Sequence, residues 1–267
     1  MLGTGPSHES DVLVDSSGPA KDRFSRVFDV LELLVGHADG LTLTDISRRL
    51  QLPTSSTHNL LQKMVANEML SVTSDLRYFV GARAVRLSLR ITEGLEVRNI
   101  ARRYLNELSL ETGSDVYLGM GLGRKVSYVD RAQGTNSVSV AIRLGQPLYL
   151  HATAVGKLYS SYIEAFRAEL MSQPKPELTD FTLVDRESLE VECAKIRLQE
   201  YAISREEAFL GIIGIAVPVC DAGGNLVAAL HLPLLQNNFS DESLTFLLSR
   251  AQASAAAIES ELGRIKN

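Results

Sequence analysis

A chain of 267 residues, 45% hydrophobic and 22% charged, is long enough for two domains with a sizeable core in the larger. No apolar run approaches the roughly 18 residues that cross a bilayer; with no basic region followed by an apolar core at the N-terminus, neither a membrane span nor a signal peptide is expected, and the location read is cytoplasmic. The net charge of −5 speaks against a nucleic-acid partner until it is divided, because residues 21–90 carry ten Lys/Arg against seven Asp/Glu, a head of +3 on a remainder of −8.

Residues 1–20, rich in Gly, Ser, Pro and Asp, read as a disordered tail. A first helix is expected from about Lys21 to His37, burying Phe24, Val27, Phe28, Leu31, Leu34 and Val35. In a second helix Thr42 is the N-cap, Asp45 completes a capping box, and Leu43, Ile46 and Leu50 face inward. After a Gln51-Leu52-Pro53 turn, a third helix runs from Thr54 to about Glu68 with Leu60, Leu61, Met64 and Val65 inward. Ser55, Asn59 and Gln62 fall on its opposite face, with Ser56, His58 and Lys63 alongside. Leu70 to Gly81 then reads as a short hairpin. Two short helices, a tight turn and a β-wing are how a protein places one helix in the DNA major groove. Residues 21–82 are therefore expected to form a winged helix-turn-helix.

The contacts expected are hydroxyls of Thr54, Ser55, Ser56 and Thr57 at the first turn and the longer reach of His58, Asn59, Gln62 and Lys63. Arg77 belongs to the wing. A solvated helix face with a hydroxyl-rich cap is the competing reading. Residues 83–94 read as a linker helix carrying Arg83, Arg86 and Arg90, and residues 95–267 as the second domain. Its elements are a helix from Leu95 to Thr112, strands at Val116–Leu122, Val126–Arg131 and Ser137–Arg143, and helices at His151–Tyr162, Glu164–Met171 and Arg186–Glu200. A hairpin of Ile212–Cys220 with Leu226–Leu234 follows. The last helix, capped by Ser240, presents Leu244, Leu248, Ala251, Ala255, Ile258 and Leu262 to a sheet or a partner helix.

A tight turn at Gly223-Gly224 sets Cys220 opposite Val227, Pro218 opposite Ala229 and Ala216 opposite His231, all on one sheet face. That face suits a ligand cavity, while Val217, Val219, Ala228, Leu230 and Leu232 suit a core. The small residues from His151 to Gly156 leave helix N–H groups open to an anion, and Glu206 or Glu207 can accept a hydrogen bond from a bound hydroxyl. Cys220 reads equally as a small buried hydrophobe, and His231 as a satisfied core histidine. Cys193 and Cys220 lack metal-site spacing, as does the set Cys220, His231 and His151, so no metal or cofactor is expected.

Taken in order, Leu41-Thr42-Leu43, Ile46, Leu50-Gln51-Leu52-Pro53, Leu60-Leu61 and Arg77-Tyr78 with Gly81 resemble the IclR family of bacterial transcriptional regulators. So do Arg143-Leu144-Gly145, Pro147-Leu148, Ala152 to Lys157, Arg205-Glu206-Glu207, Gly211, Ile215 to Val219 and Gly224. The resemblance spans about residues 22–265. It implies an α+β chain with an N-terminal winged helix-turn-helix, a linker helix and a C-terminal mixed α/β, GAF-like effector-binding domain. It also implies dimers or tetramers on a near-palindromic operator, and repression relieved by a small organic or aromatic acid. Its pocket maps onto Leu148, Ala154, Val155, Glu206, Pro218, Cys220 and His231. Asn59 stands where the family commonly has Arg, which removes a guanidinium contact and alters operator preference. A ligand-responsive repressor is the leading expectation. The alternatives are a small-acid-metabolising enzyme with a DNA-localising module, and a binding module that has lost DNA contact.

Overall fold

The computed structural model describes residues 23–135 and 142–265, which divide into two compact units at Gly94/Leu95. The expected tail and all but Ile142 and Arg143 of the expected strand Ser137–Arg143 lie outside the described residues, and those two are in no strand.

The first unit holds α1 (Arg23–Val35), β1 (Leu41–Thr42), α2 (Leu43–Arg49), α3 (Thr54–Ala66), β2 (Leu70–Val72), β3 (Arg77–Val80) and α4 (Ala82–Glu93). Thr42 caps α2 reciprocally with Asp45, as its sequence expects. The hairpin gains a third strand missed in the sequence: β1 pairs with β3, giving the order β1-β3-β2. A two-residue strand is too short to show alternation. The buried face of α1 differs from expectation. Val30 and Leu34 are buried with Val27, Leu31 and Leu33 partly so, whereas Phe24, Phe28 and Val35 are exposed. The helical period sets these three on a separate stripe, and the unit covers only one of the two.

The second unit holds α5 (Glu96–Thr112), β4 (Val116–Leu122), β5 (Lys125–Ala132), α6 (Ala154–Tyr162), α7 (Glu164–Ser172), α8 (Arg186–Gln199), β6 (Ala202–Arg205), β7 (Ile212–Cys220), β8 (Leu226–Leu235) and α9 (Asp241–Ile265). Its sheet, ordered β5-β4-β8-β7-β6, has only antiparallel neighbours. One face packs on α5 and α9 through Val217, Val219, Ala228, Leu230 and Leu232 against Leu105, Leu108, Ala251, Ala255, Ile258 and Leu262. The other packs on α6, α7 and α8 through Tyr117, Tyr128, Ala216 and Ala229. Neither Pro218 nor Pro233 interrupts a ladder, because each lies past the end of the neighbouring strand on its free side.

The hairpin register holds at Ala216↔His231 and Pro218↔Ala229, but a bulge follows Val219 and Cys220 pairs with Leu226. The extra residue turns Val227 toward the α5/α9 side, so Leu226, not Val227, shares the face of Cys220. The helix expected from His151 begins only at Ala154.

Candidate DNA-reading face and effector site

On α3, Thr54, Ser55, Ser56, His58, Asn59, Gln62 and Lys63 are all exposed, while Thr57, Leu61 and Met64 are buried. Thr57 is therefore not a surface hydroxyl; it donates to the Pro53 carbonyl at 3.1 Å and ties the turn to the helix. Pro53 occupies the N-cap and no side chain caps the helix. The hydroxyls of Thr54, Ser55 and Ser56 are thus not engaged by the helix's own N–H groups, and the first turn can meet an anion. Arg77 is more constrained. It donates through Nη1 to the Gly40 carbonyl at 3.2 Å and sits 3.3 Å from Asp75 Oδ2 through Nε, bracing β3 against the approach to β1.

In the second unit a row of residues crosses the sheet on the α6 side: Arg131, Tyr117, His231, Ala216 and Ala202, each paired with the next. Tyr117, Tyr128 and His231 form an aromatic trio there, with ring centroids 4.9 Å (Tyr117–Tyr128) and 5.1 Å (Tyr128–His231) apart. Tyr128 Oη lies 2.9 Å from His231 Nδ1, and Tyr117 Oη accepts from the Ile142 N–H at 3.2 Å. Burial holds the imidazole neutral, lowering its pKa to about 3, and drives the Tyr128 phenol well up.

Glycines let α6 press close to this face. A Cβ on Gly119 would stand 2.6 Å from Val155 Cγ1, and one on Gly214 would stand 2.8 Å from His231 Nε2 and 3.5 Å from the Ala154 methyl. Thr153 caps α6, accepting from the Gly156 N–H at 3.1 Å, and Lys157 N–H bonds the Thr153 carbonyl. The N–H groups of Ala154 and Val155 have no partner among the described residues.

The seven expected effector residues thus divide. Ala154 and Val155 meet the sheet beside His231; Leu148 and Cys220 border the same cluster, and Pro218 pairs with Ala229 on the same side. Glu206, at φ 57°, accepts through Oε2 from Gly211 N–H at 2.8 Å within its own loop. Glu207 is occupied at one oxygen, Oε1 accepting from Lys157 Nζ at 2.7 Å and Arg205 N–H at 3.2 Å, while Oε2 is buried with no partner among the described residues. Lys157, 1% exposed, also reaches Glu192 Oε1 at 3.1 Å. Burial pushes the Glu207 carboxyl up, with Lys157 opposing. Cys220 donates its N–H to Glu259, and burial raises its thiol. His151 bonds the Pro176 carbonyl, and no group of metal-ligating side chains occurs among the described residues. Tyr117 and Tyr128 were missed: they lie on two strands, and a bulge in the β4–β5 register, where Gly119 pairs with Tyr128 after Leu118 pairs with Asp130, together with the β4–β8 pairing brings both beside His231.

Residues 89–260 match the family described as Bacterial transcriptional regulator IclR C-terminal, and residues 25–73 match the IclR helix-turn-helix domain. The HTH-type transcriptional regulator XynR of Escherichia coli K12 is 30% identical over 92% of this chain and 98% of its own length. The HTH-type transcriptional repressor AllR of the same strain is 26% identical over 76% of each chain. An IclR homolog from Microbacterium hydrocarbonoxydans, crystallised with 4-hydroxybenzoate, superposes with a TM-score of 0.78 at 26% identity, covering 90% of this chain and 98% of that one.

Proposed function

The chain belongs to the IclR family of bacterial transcriptional regulators, and from that premise we propose that it is a repressor released from a near-palindromic operator by a small organic or aromatic acid. The observation that carries the DNA half is the polarity of α3, whose seven exposed polar residues back onto buried Leu61 and Met64. The effector half rests on the unpartnered N–H groups of Ala154 and Val155 at the start of α6, beside a neutral histidine. A carboxylate suits them.

Release requires that the acid bind the operator-free state more tightly than the bound one. Two copies reading two half-sites fit the exposed apolar stripes of α1 (Phe24, Phe28) and α4 (Val85, Leu89), which a second chain would cover. Acting on DNA, it works in the cytoplasm; among the described residues no helix is long and apolar enough to cross a membrane. The role is regulatory rather than catalytic: the raised Cys220 thiol is a poor nucleophile, and the His231 Nδ1 that would serve as a base is already held by Tyr128.

The test is operator selection from random DNA followed by fluorescence anisotropy at several salt concentrations. Lys63→Glu is expected to abolish specific binding and flatten the salt dependence. Unchanged affinity and slope would mean that α3 does not face DNA.

A further inference from the structure

We propose that Tyr128 is a positioning residue for effector recognition: its hydroxyl holds the His231 ring with the proton on Nε2, so that Nε2–H becomes a third donor beside the Ala154 and Val155 N–H groups. This goes beyond, and rests on, the reading of the α6 side of the sheet as the effector site.

The argument is one of proton placement in a closed space. Tyr128 is 1% and His231 4% exposed, and their 2.9 Å contact joins Oη to Nδ1. Only one proton lies between these atoms. If Nδ1–H donated to the phenol oxygen, the phenol's own proton would be buried with no acceptor among the described residues, which is costly. If the phenol donates, both atoms are satisfied, and the neutral imidazole must carry its proton on Nε2. Nε2 has no hydrogen-bond partner among the described residues. It lies against Gly214, where a Cβ would stand 2.8 Å from Nε2 and 3.5 Å from the Ala154 methyl, which sets the imidazole edge at the start of α6. Nε2–H and the N–H groups of Ala154 and Val155, none of them a charged side chain, therefore all lie at the start of α6. The group they suit is an acceptor with several lone pairs, a carboxylate, and not an amine or ammonium. Gly214 belongs to the device, since any side chain there would occupy the place where Nε2 meets α6.

The experiment has two arms on the full-length protein. In the first, long-range 1H–15N spectra of histidine-labelled protein read which nitrogen of His231 is protonated, with His231→Gln assigning the signal. Wild type is expected in the Nε2–H form, and Tyr128→Phe, which keeps the ring against Tyr117, is expected to shift the signal toward a mixture. In the second, calorimetric titrations with glycolate, pyruvate, benzoate and 4-hydroxybenzoate compare wild type with Tyr128→Phe. The acid that binds best is expected to lose about tenfold in affinity with Tyr128→Phe. A proton on Nδ1 in wild type overturns the proposal, as does unchanged affinity in Tyr128→Phe for an acid that wild type binds. If no acid binds wild type although the Nε2–H form is observed, the siting of the effector itself falls, and Tyr128's role in recognition falls with it.

Discussion

Replacing His231 with Gln should flatten part of the acid limb of the stability curve of the second unit. The folded-state imidazole is lowered by burial from its ordinary 6.5 to about 3. As pH falls below 6.5 the unfolded chain takes up a proton that the folded chain refuses, so stability complete above 6.5 drains away toward 3. At 1.36 kcal/mol per unit, the loss attributable to His231 at pH 4.5 is about 2.5 kcal/mol. His151 is also lowered by burial and acts in the same direction, whereas Glu207, raised by burial, acts in the opposite one. Both are present in either chain, so the difference between wild type and His231→Gln isolates the one imidazole. Urea unfolding at pH 7 and pH 4.5, followed by tyrosine fluorescence, reads it directly. The chain has no tryptophan, and of its eight tyrosines only Tyr78 precedes residue 95. Wild type should lose about 2.5 kcal/mol more than the variant between the two pH values. Equal losses would refute the neutral buried histidine and the reasoning built on it.

Lys157→Met should cost roughly 3–5 kcal/mol in urea unfolding, because it strands Glu207 in a buried position without its cation; adding Glu207→Gln should recover part of the loss. Gly81→Ala should destabilise the first unit and weaken operator binding together, since the new Cβ would lie 2.3 Å from the Glu68 carbonyl oxygen and 2.7 Å from Leu70 backbone; thermal melting and anisotropy both read this. Thr42→Ala should lower protection against amide exchange through α2 by about 1 kcal/mol, the usual worth of an N-cap.

Legibility followed how local the cause was. The α2 cap and the α3 polar face are set by residues within a few positions of one another, and the pairing of Ala216 with His231 by one hairpin turn, so all three were readable. The burial of Thr57 was not, because a hydroxyl bonded to the carbonyl four residues back looks, in sequence, like one offered to a phosphate. The bulge after Val219 was hidden for another reason: Asp221, Gly223, Gly224 and Asn225 form a turn of their own, with Asp221 Oδ1 accepting from Gly223 and Asn225, and its geometry absorbs one residue of β8. At the site, His231 and the small residues of α6 were visible, while the partner that orients His231 comes from a strand more than a hundred residues earlier in the chain. The bond from Gly211 N–H to the Glu206 carboxylate, which closes its own loop, carried no sequence signal.

The helix α4 has no buried residue of its own. It is tied to the rest of the unit near its start, where Arg83 N–H bonds the Glu68 carbonyl at 3.0 Å and Arg86 pairs with the Glu68 carboxylate at 2.9 Å, and a helix this short with no buried side chain is close to the helix–coil midpoint in water. A surface that covered the exposed Val85 and Leu89 would therefore add to its helicity. If a second copy covers this stripe as proposed, the segment is a rod when covered and a softer tether when bare, and its bending stiffness becomes a function of protein concentration. Torque applied at one end would then reach the other only above the concentration at which the cover forms.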